Sequence, residues 1–203
     1  MSLHVSIAPH VHSKDSTATI MRDVLIALLP TTLVGVYCFG LNAALLCVLG
    51  VAAAVLSEYA YQKLTGQKVR INDLSAAVTG LLLALNLSTN VPAWQCVVGT
   101  LFAIICVKGL FGGLGCNFAN PAITGRVFML VAFSAVAGGA NPTIVDITTS
   151  ATPLEQLAKG GEVPSLLDMF LGLHGGAIGE TCALALLLGF VYLLWRKVIR
   201  WHI

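Results

Sequence analysis

The stretch VLIALLPTTLVGVYCFGLNAALLCVLGVAAAVLSEYA, residues 24–60, decides the fold class of this chain. It divides into two apolar segments, 24–40 and 41–60, and each is close to the roughly 20 residues that an α-helix needs to cross the hydrocarbon core of a bilayer. Further apolar segments follow at 74–89, 92–111, 119–139 and 178–195. The pattern predicts an all-α integral membrane protein with about six transmembrane helices.

The composition supports the same class. Of the 203 residues, 57% are hydrophobic and 10% are charged, whereas a soluble domain usually has about 25% charged residues. So few charges do not cover the surface of a soluble protein, and the expected surroundings are a lipid bilayer. The net charge of +2 is too small to indicate nucleic-acid binding. The six cysteines form no CxxC pair, and most lie in apolar segments, where a free cysteine packs as a small hydrophobic residue.

The basic residues predict the orientation in the membrane. If the polar segment 1–23 is cytoplasmic, nearly all Lys and Arg residues fall on the cytoplasmic side, as the positive-inside rule requires. These residues are Lys14, Arg22, Lys63, Lys68, Arg70, Lys108, Arg126, Arg196, Lys197 and Arg200. The polytopic membrane domain is then 24–203, and the loop at about 140–165 faces away from the cytoplasm.

Two stretches indicate broken or re-entrant segments. LLDMFLGLHGG, residues 166–176, is too short to span a bilayer. GLFGGLGCNFANPAITGR, residues 109–126, combines glycines with Asn117 and Asn120, which do not face lipid comfortably. Interrupted segments of this kind are typical of binding sites near the midplane of transporters. The alternative is a glycine-rich turn in which Asn120 caps a helix that begins with Pro121.

A polar run, DITTSATPL, lies in the predicted outer loop at residues 146–154. Thr152, Pro153 and Glu155 stand in the order of a capping box, in which the threonine caps a short helix and the glutamate reaches back to it. The spacing alone therefore accounts for Thr152 as an N-cap.

Several motifs together resemble one family. DITTSATPL resembles a flavinylation motif in which the last threonine carries FMN through a phosphoester bond. GGLGCNFANPAITGRVF, residues 112–128, is similar to the corresponding stretch of RnfD-type membrane subunits and of the related B subunits of sodium-pumping NADH:quinone reductases. The beginning, SIAPHVHSKDSTATIMRDVLIALLP, and the end, GGAIGETCALALLLGFVYLLWRKVIRWHI, look more like the RnfD type. The resemblance extends over nearly the whole chain.

The resemblance implies a flavin-bearing electron-transfer subunit of the Rnf complex, a ferredoxin:NAD oxidoreductase that translocates sodium ions or protons across the inner or plasma membrane of a prokaryote. It implies covalent FMN on Thr152, with Thr149, Ser150 and Ala151 around the attachment point, and it leaves room for a further non-covalent flavin. Asn117 and Asn120 are candidates for contacts with a flavin or an ion. The implied partners are the FMN-carrying RnfG, the other membrane subunits and an extracytoplasmic flavin transferase. We expect no metal site and no catalytic side chain of the Ser-His-Asp type.

The family also implies a longer architecture. RnfD-type subunits have about ten spans in two inverted repeats of five helices, so this chain is expected to hold the first repeat and the start of the second, with the rest missing. Two alternatives remain at this point. One is a non-redox secondary transporter or ion channel with broken helices, and the other is a structural membrane scaffold.

Glu180 is the acidic residue of interest in the last apolar segment. A charged side chain inside a membrane helix costs about 2.5–3.5 kcal/mol on insertion scales, so we expect Glu180 to lie near water or to be paired. One interpretation places it in the first turn of the last helix, where a negative charge is favourable. The other places it in a polar cluster near Asn120 on the ion path.

Overall fold

The computed structural model describes residues 16–133, 157–158 and 165–202. Within these ranges the chain forms helices and no β-strand, in agreement with the predicted all-α class. The α-helices are α1 (Thr17–Phe39), α2 (Leu41–Leu64), α3 (Ser75–Leu85), α4 (Ala93–Phe102), α5 (Pro121–Ala132), α6 (Leu166–Leu171) and α7 (Ala183–Trp195). A 3-10 turn, Ile71–Asp73, precedes α3, and a π-helical segment, Ala103–Gly109, continues α4.

Helices α1 and α2 are long and apolar enough to cross a membrane. Their 23 and 24 residues correspond to lengths of roughly 34 and 36 Å at 1.5 Å per residue. Four further apolar helices are shorter, namely Ser75–Leu85, Ala93–Gly109, Pro121–Ala132 and Ala183–Trp195. Each of the six predicted segments therefore contains an apolar helix, but only two of the described helices reach full spanning length.

The first helix begins earlier than the hydropathy pattern predicts. Ser16 caps α1 because its Oγ accepts a hydrogen bond from the Thr19 amide at 3.2 Å. The helix therefore starts at Thr17 rather than at residue 24, which extends it into the polar segment that we assigned to 1–23. Gly40, with φ of 77°, separates α1 from α2, and its amide donates to the Val36 carbonyl at 2.8 Å.

The core lies where α2, α3, α4 and α5 meet, and α1 connects this core to α7. Glycines allow the closest helix contacts. A Cβ atom added at Gly189 in α7 would overlap the carbonyl oxygen of Ala27 in α1. The same two helices form an ion pair, in which Arg196 Nη2 lies 3.0 Å from Asp23 Oδ2. The start of α1 and the end of α7 are therefore held together at one end of the bundle.

The segment between α6 and α7 folds back onto the end of α3. The amide of Ile178 donates to the Leu87 carbonyl at 3.1 Å, and the amide of Gly179 donates to the Leu85 carbonyl at 2.8 Å. The last carbonyls of a helix have no partner within it, so this segment completes the C-terminus of α3. With α6 only six residues long, the structure agrees with the prediction that 166–176 does not span.

Candidate functional site

Glu180 lies in the turn that precedes α7, not in the helix. Helix α7 begins at Ala183 with Cys182 as its N-cap, and its first turn contains no acidic residue. The interpretation of Glu180 as a first-turn residue is therefore wrong, because the chain is still turning at residues 178–180. Glu180 Oε1 instead accepts a hydrogen bond from the Ala177 amide at 3.1 Å, which stabilises the turn.

Glu180 has an opposite charge nearby. Its carboxylate interacts electrostatically with the guanidinium of Arg126 in α5. The pairing expected for an acidic residue in this apolar segment stays a prediction. Next to it, Thr181 is buried, and its Oγ1 makes no hydrogen bond within the part of the chain that the structure describes. The turn before α7 therefore places a carboxylate and a buried hydroxyl at the break between two helices.

Asn120 forms the N-cap of α5. Its Oδ1 accepts hydrogen bonds from the amides of Ala122 at 3.0 Å and Ile123 at 3.4 Å, and Pro121 occupies the first helical position. The structure thus agrees with the alternative in which this asparagine caps a helix. Arg126 is six residues further along the same helix, about 9 Å along its axis. A contact of Asn120 with a flavin or an ion stays a prediction.

Asn117 lies in the turn before α5 and differs from Asn120 in its hydrogen bonding. Its Oδ1 is buried and makes no hydrogen bond among the described residues. The glycines of this turn, Gly112, Gly113 and Gly115, have φ values of 103°, 88° and 88°, which favour glycine. The predicted glycine-rich break is therefore present between the π-helical segment and α5. A buried acceptor without a partner is costly, so Asn117 remains a candidate binding residue.

The predicted flavin attachment motif lies outside the described residues. This applies to Thr149, Ser150, Ala151 and Thr152, and to the remaining members of the capping box. Residues 157 and 158, which follow the motif, are helical. Covalent FMN on Thr152 stays a prediction.

A second polar site joins α2 to the π-helical segment. Lys108 Nζ lies 2.7 Å from Glu58 Oε1, and the two side chains are only 2% and 7% exposed. Gln62 Nε2 donates to the same Glu58 oxygen at 3.2 Å. Lys108 Nζ also donates to Ser75 Oγ at 2.6 Å, and Ser75 Oγ donates to Asp73 Oδ1 at 2.6 Å. A continuous chain of polar contacts therefore connects the two carboxylates through a lysine and a serine.

The sequence pattern alone did not reveal this site. Lys108 entered only the prediction of the orientation, and no role was predicted for Glu58. A signal was available, because Glu58 is an acidic residue within the apolar segment 41–60, and such residues are often functional. Its partner was not predictable, since the two residues are 50 positions apart and meet only when α2 packs on the π-helical segment.

The π-helical segment positions Lys108. The amide of Leu110 donates to the Ile105 carbonyl at 3.0 Å, and the amide of Gly113 donates to the Lys108 carbonyl at 2.9 Å, each five residues back. This wider spacing rotates the following side chains relative to a regular α-helix, and π-helical turns are frequent at functional sites. The turn therefore directs the ammonium group of Lys108 into the bundle rather than along its surface.

A polar cleft opens beside this site. Its volume is about 340 Å³. The cleft is lined by Glu58, Gln62, Gln67, Lys68, Arg70, Asp73, Gly112, Gly113 and Leu114. A smaller cavity of about 20 Å³ is lined by both Glu58 and Lys108, and this volume is sufficient for about one water molecule. The cleft and the cavity share Glu58, Gln62, Gln67 and Gly113 as lining residues.

Known proteins are similar to this chain along its whole length. The chain matches the family described as NQR2, RnfD, RnfE over residues 4–203. It is similar to the D component of the Na(+)-translocating ferredoxin:NAD(+) oxidoreductase complex of Acetobacterium woodii, with 48% identity over 208 residues, covering 100% of this chain and 65% of the relative.

Two further relatives have related names. The D component of the proton-translocating ferredoxin:NAD(+) oxidoreductase complex of Clostridium ljungdahlii is 36% identical over 212 residues, covering 98% of this chain and 64% of the relative. The D component of the ion-translocating oxidoreductase complex of Citrobacter koseri is 32% identical over 244 residues, covering 100% of this chain and 70% of the relative. The chain spans between 64% and 70% of the length of these three curated relatives. Since the family match extends over residues 4–203, the chain belongs to the NQR2, RnfD, RnfE family.

Proposed function

We propose that this chain acts within the D component of an ion-translocating ferredoxin:NAD oxidoreductase complex, where it transfers electrons through a covalently bound flavin. The similarity to components of that name, at up to 48% identity along the whole chain, carries the proposal. One relative is named as translocating Na⁺ and another as translocating protons. The proposal therefore assigns the chain to redox-driven transport of a monovalent cation.

Thr152 is the proposed attachment point for FMN. Support comes from the TSAT sequence at 149–152, which resembles the flavinylation motif, and from the position of Thr152 ahead of a predicted short helix. A phosphoester there would lie at a helix N-terminus, where free backbone amides favour an anion. The hydroxyls of Thr149 and Ser150 would donate to the phosphate, and the small side chain of Ala151 would leave space for a transferase. When bound, FMN supplies the electron-accepting chemistry, and the chain holds it in place.

The proposed setting is a prokaryotic inner or plasma membrane, with the N-terminus in the cytoplasm and the flavin loop outside. The charge distribution supports this orientation, because Asp23, next to Arg22 in α1, pairs with Arg196 after α7, which places both arginines at the same end of the bundle. The proposed partners are the remaining Rnf subunits, among them the FMN-carrying RnfG, and an extracytoplasmic flavin transferase. A further non-covalent flavin is compatible with this proposal.

The break before α7 is the proposed position of an ion-path residue. Glu180 lies in a turn between helices, and its carboxylate attracts the guanidinium of Arg126. Backbone that is not helical within a membrane bundle is tolerated where it lines a polar cavity, and broken helices supply ion sites in transporters. The buried hydroxyl of Thr181 is an acceptor without a partner among the described residues at this break, and the buried amide oxygen of Asn117 is another at the separate break before α5.

Fluorescence on a denaturing gel tests the flavin assignment. Full-length protein from a strain that contains the flavin transferase should give a fluorescent band, and mass spectrometry should find FMN on the peptide containing Thr152. The Thr152→Ala variant should lose the band. Thr148→Ala, a hydroxyl removed from the same run, should keep it and is the matched control. A fluorescent band that persists in Thr152→Ala would contradict the assignment, and a folded wild-type protein without any flavin would favour a non-redox transporter.

A further inference from the structure

The loop that follows α2 presents two cations to the polar cleft of about 340 Å³. Lys68 and Arg70 both line this cleft, and both residues are exposed. Among the described residues, neither side chain forms an ion pair or a hydrogen bond. These two charges are therefore available to a ligand from outside the chain.

Gln62 fixes this loop against the end of α2. Its Oε1 accepts a hydrogen bond from the Arg70 amide at 2.8 Å, and its backbone carbonyl accepts one from the Gln67 amide at 2.9 Å. Its Nε2 donates to Glu58 Oε1 at 3.2 Å, which ties the loop to the buried ion pair. The backbone that carries the cations is thus already ordered, and binding is favoured when a ligand does not have to order its site.

The two carboxylates that line the cleft are already engaged within the fold. Glu58 lies 2.7 Å from Lys108 Nζ, and Asp73 Oδ1 accepts hydrogen bonds from the Ser75 amide at 2.9 Å and the Ser75 hydroxyl at 2.6 Å. The two exposed cations and the buried lysine, set against two carboxylates, give the site a net charge of +1. A ligand group with a single negative charge, such as a phosphodiester, balances this charge.

The glycine-rich turn before α5 supplies an apolar rim. Gly112, Gly113 and Leu114 line the cleft, and Leu114 is exposed. Phe111 and Phe118, at either end of the same turn, are 50% and 63% exposed, and their ring centroids lie 4.7 Å apart. Exposed apolar side chains beside a cationic cleft suit an amphipathic ligand better than a soluble anion.

The length of α2 places the cleft near the membrane surface. Its 24 residues extend over roughly 36 Å, which exceeds the hydrocarbon core of about 30 Å. The loop that lines the cleft follows the C-terminal end of this helix, at Leu64, and so lies at the level of the lipid headgroups. In the orientation proposed above, this is the cytoplasmic leaflet, whose surface carries anionic lipids.

We propose that the polar cleft binds the headgroup of an anionic phospholipid. Lys68 and Arg70 hold the phosphodiester, and the acyl chains lie against the apolar rim formed by Phe111, Leu114 and Phe118. No covalent bond is made or broken. The inference uses the membrane setting and the proposed orientation, and it requires neither the flavin nor ion transport.

Native mass spectrometry of the delipidated full-length protein in detergent tests this site. Phosphatidylglycerol and phosphatidylcholine with the same acyl chains are titrated separately at constant ionic strength. Phosphatidylglycerol should bind several-fold more tightly, because the ammonium group of phosphatidylcholine opposes the cations of the cleft. Glycerol phosphate, which lacks acyl chains, should not displace phosphatidylglycerol at equal concentration. Displacement would identify a site for a soluble phosphate and overturn the proposal.

A matched pair of double variants locates the binding site. Lys68→Gln with Arg70→Gln should weaken the tightest phosphatidylglycerol site about 30-fold, since each cation contributes about 1 kcal/mol to binding. Lys197→Gln with Arg200→Gln removes two exposed cations after α7 and should bind like the wild type. The side chains of the cleft cations make no contact that stabilises the described fold, so both double variants should unfold at the wild-type temperature. Phe118→Ala should weaken the binding of both lipids.

Equal affinities of the wild type for the two lipids would overturn the proposal, as would equal losses in the cleft and control variants. A carbodiimide crosslink between Lys68 and a carboxylate of another subunit in the assembled complex would assign the cleft to an acidic protein partner, which would also overturn it. Thr152→Ala should bind phosphatidylglycerol like the wild type. The lipid site can therefore fail while Thr152 carries FMN, and the flavin assignment can fail while the lipid binds.

Discussion

Gly80 of α3 lies against the carbonyl oxygen of Gly50 in α2, and a Cβ atom added at Gly80 would overlap this oxygen and the methyl group of Ala54. Neither neighbour is the flexible end of a side chain, so relief requires the two helices to separate. Small residues at such crossings are the usual means by which membrane helices approach closely.

Gly80→Ala is therefore expected to destabilise the bundle by about 1–3 kcal/mol, the range for overpacked cores. Thermal unfolding of the detergent-solubilised full-length protein measures this effect. Ala52→Val, which adds methyl groups on the exposed side of α2, should change the unfolding temperature little. Equal unfolding temperatures for Gly80→Ala and the wild type would show that the helices are not in close contact there.

The buried pair of Glu58 and Lys108 should behave as a unit. Removing one partner leaves an uncompensated buried charge, which costs about 3–5 kcal/mol, so Glu58→Gln or Lys108→Met alone should lower thermal stability strongly. The double variant should be more stable than the sum of the two single losses predicts. A double-mutant cycle on the full-length protein measures the difference. Additive losses would mean that the two side chains do not interact.

Substitutions of Asn120 distinguish its role as a helix cap from a role in binding. Asn120→Ala should cost about 1 kcal/mol of stability because the amides of Ala122 and Ile123 lose their acceptor. Asn120→Ser supplies another capping oxygen and should recover most of this stability. If Asn120 also contacts a flavin or an ion, Asn120→Ser should still be impaired in electron transfer or ion transport. Full transport activity in Asn120→Ser would show that Asn120 acts only as the N-cap of α5.

Glu180→Gln tests the ion path in the assembled complex reconstituted in vesicles. The change keeps the hydrogen bond to the Ala177 amide but removes the charge that attracts Arg126. We expect ion transport to fall while electron transfer and flavin content persist. Arg126→Gln should give the same uncoupling if the pair acts together. Unchanged ion transport with a small loss of thermal stability would limit Glu180 to a role in the turn.

The helical elements were largely predictable, because apolar segments are a direct consequence of the membrane as solvent. The first and last residues of the helices were less predictable. Helix α1 begins at Thr17 because Ser16 supplies a cap outside the apolar segment, and α7 begins only at Ala183 because the preceding residues turn back to satisfy α3. Hydropathy indicates whether a segment prefers lipid or water. It does not indicate which residues form hydrogen bonds with the backbone amides and carbonyls at the ends of that segment.

The candidate sites were also predictable only where the interacting residues are close in sequence. Asn120 was predictable as a cap because its partners are adjacent in sequence. The contact between Glu58 and Lys108 depends on helix packing and on the π-helical turn, which no local pattern indicated. The electrostatic attraction between Glu180 and Arg126 likewise acts between residues that are far apart in the chain.

The completion of α3 by Ile178 and Gly179 has a consequence for biosynthesis. The carbonyls of Leu85 and Leu87 receive their hydrogen bonds from residues that leave the ribosome about ninety positions later, a delay of about 5–20 seconds at ordinary elongation rates. We therefore expect the C-terminus of α3 to acquire these partners only after the turn before α7 has been made, in a docking step between segments that are already in the membrane.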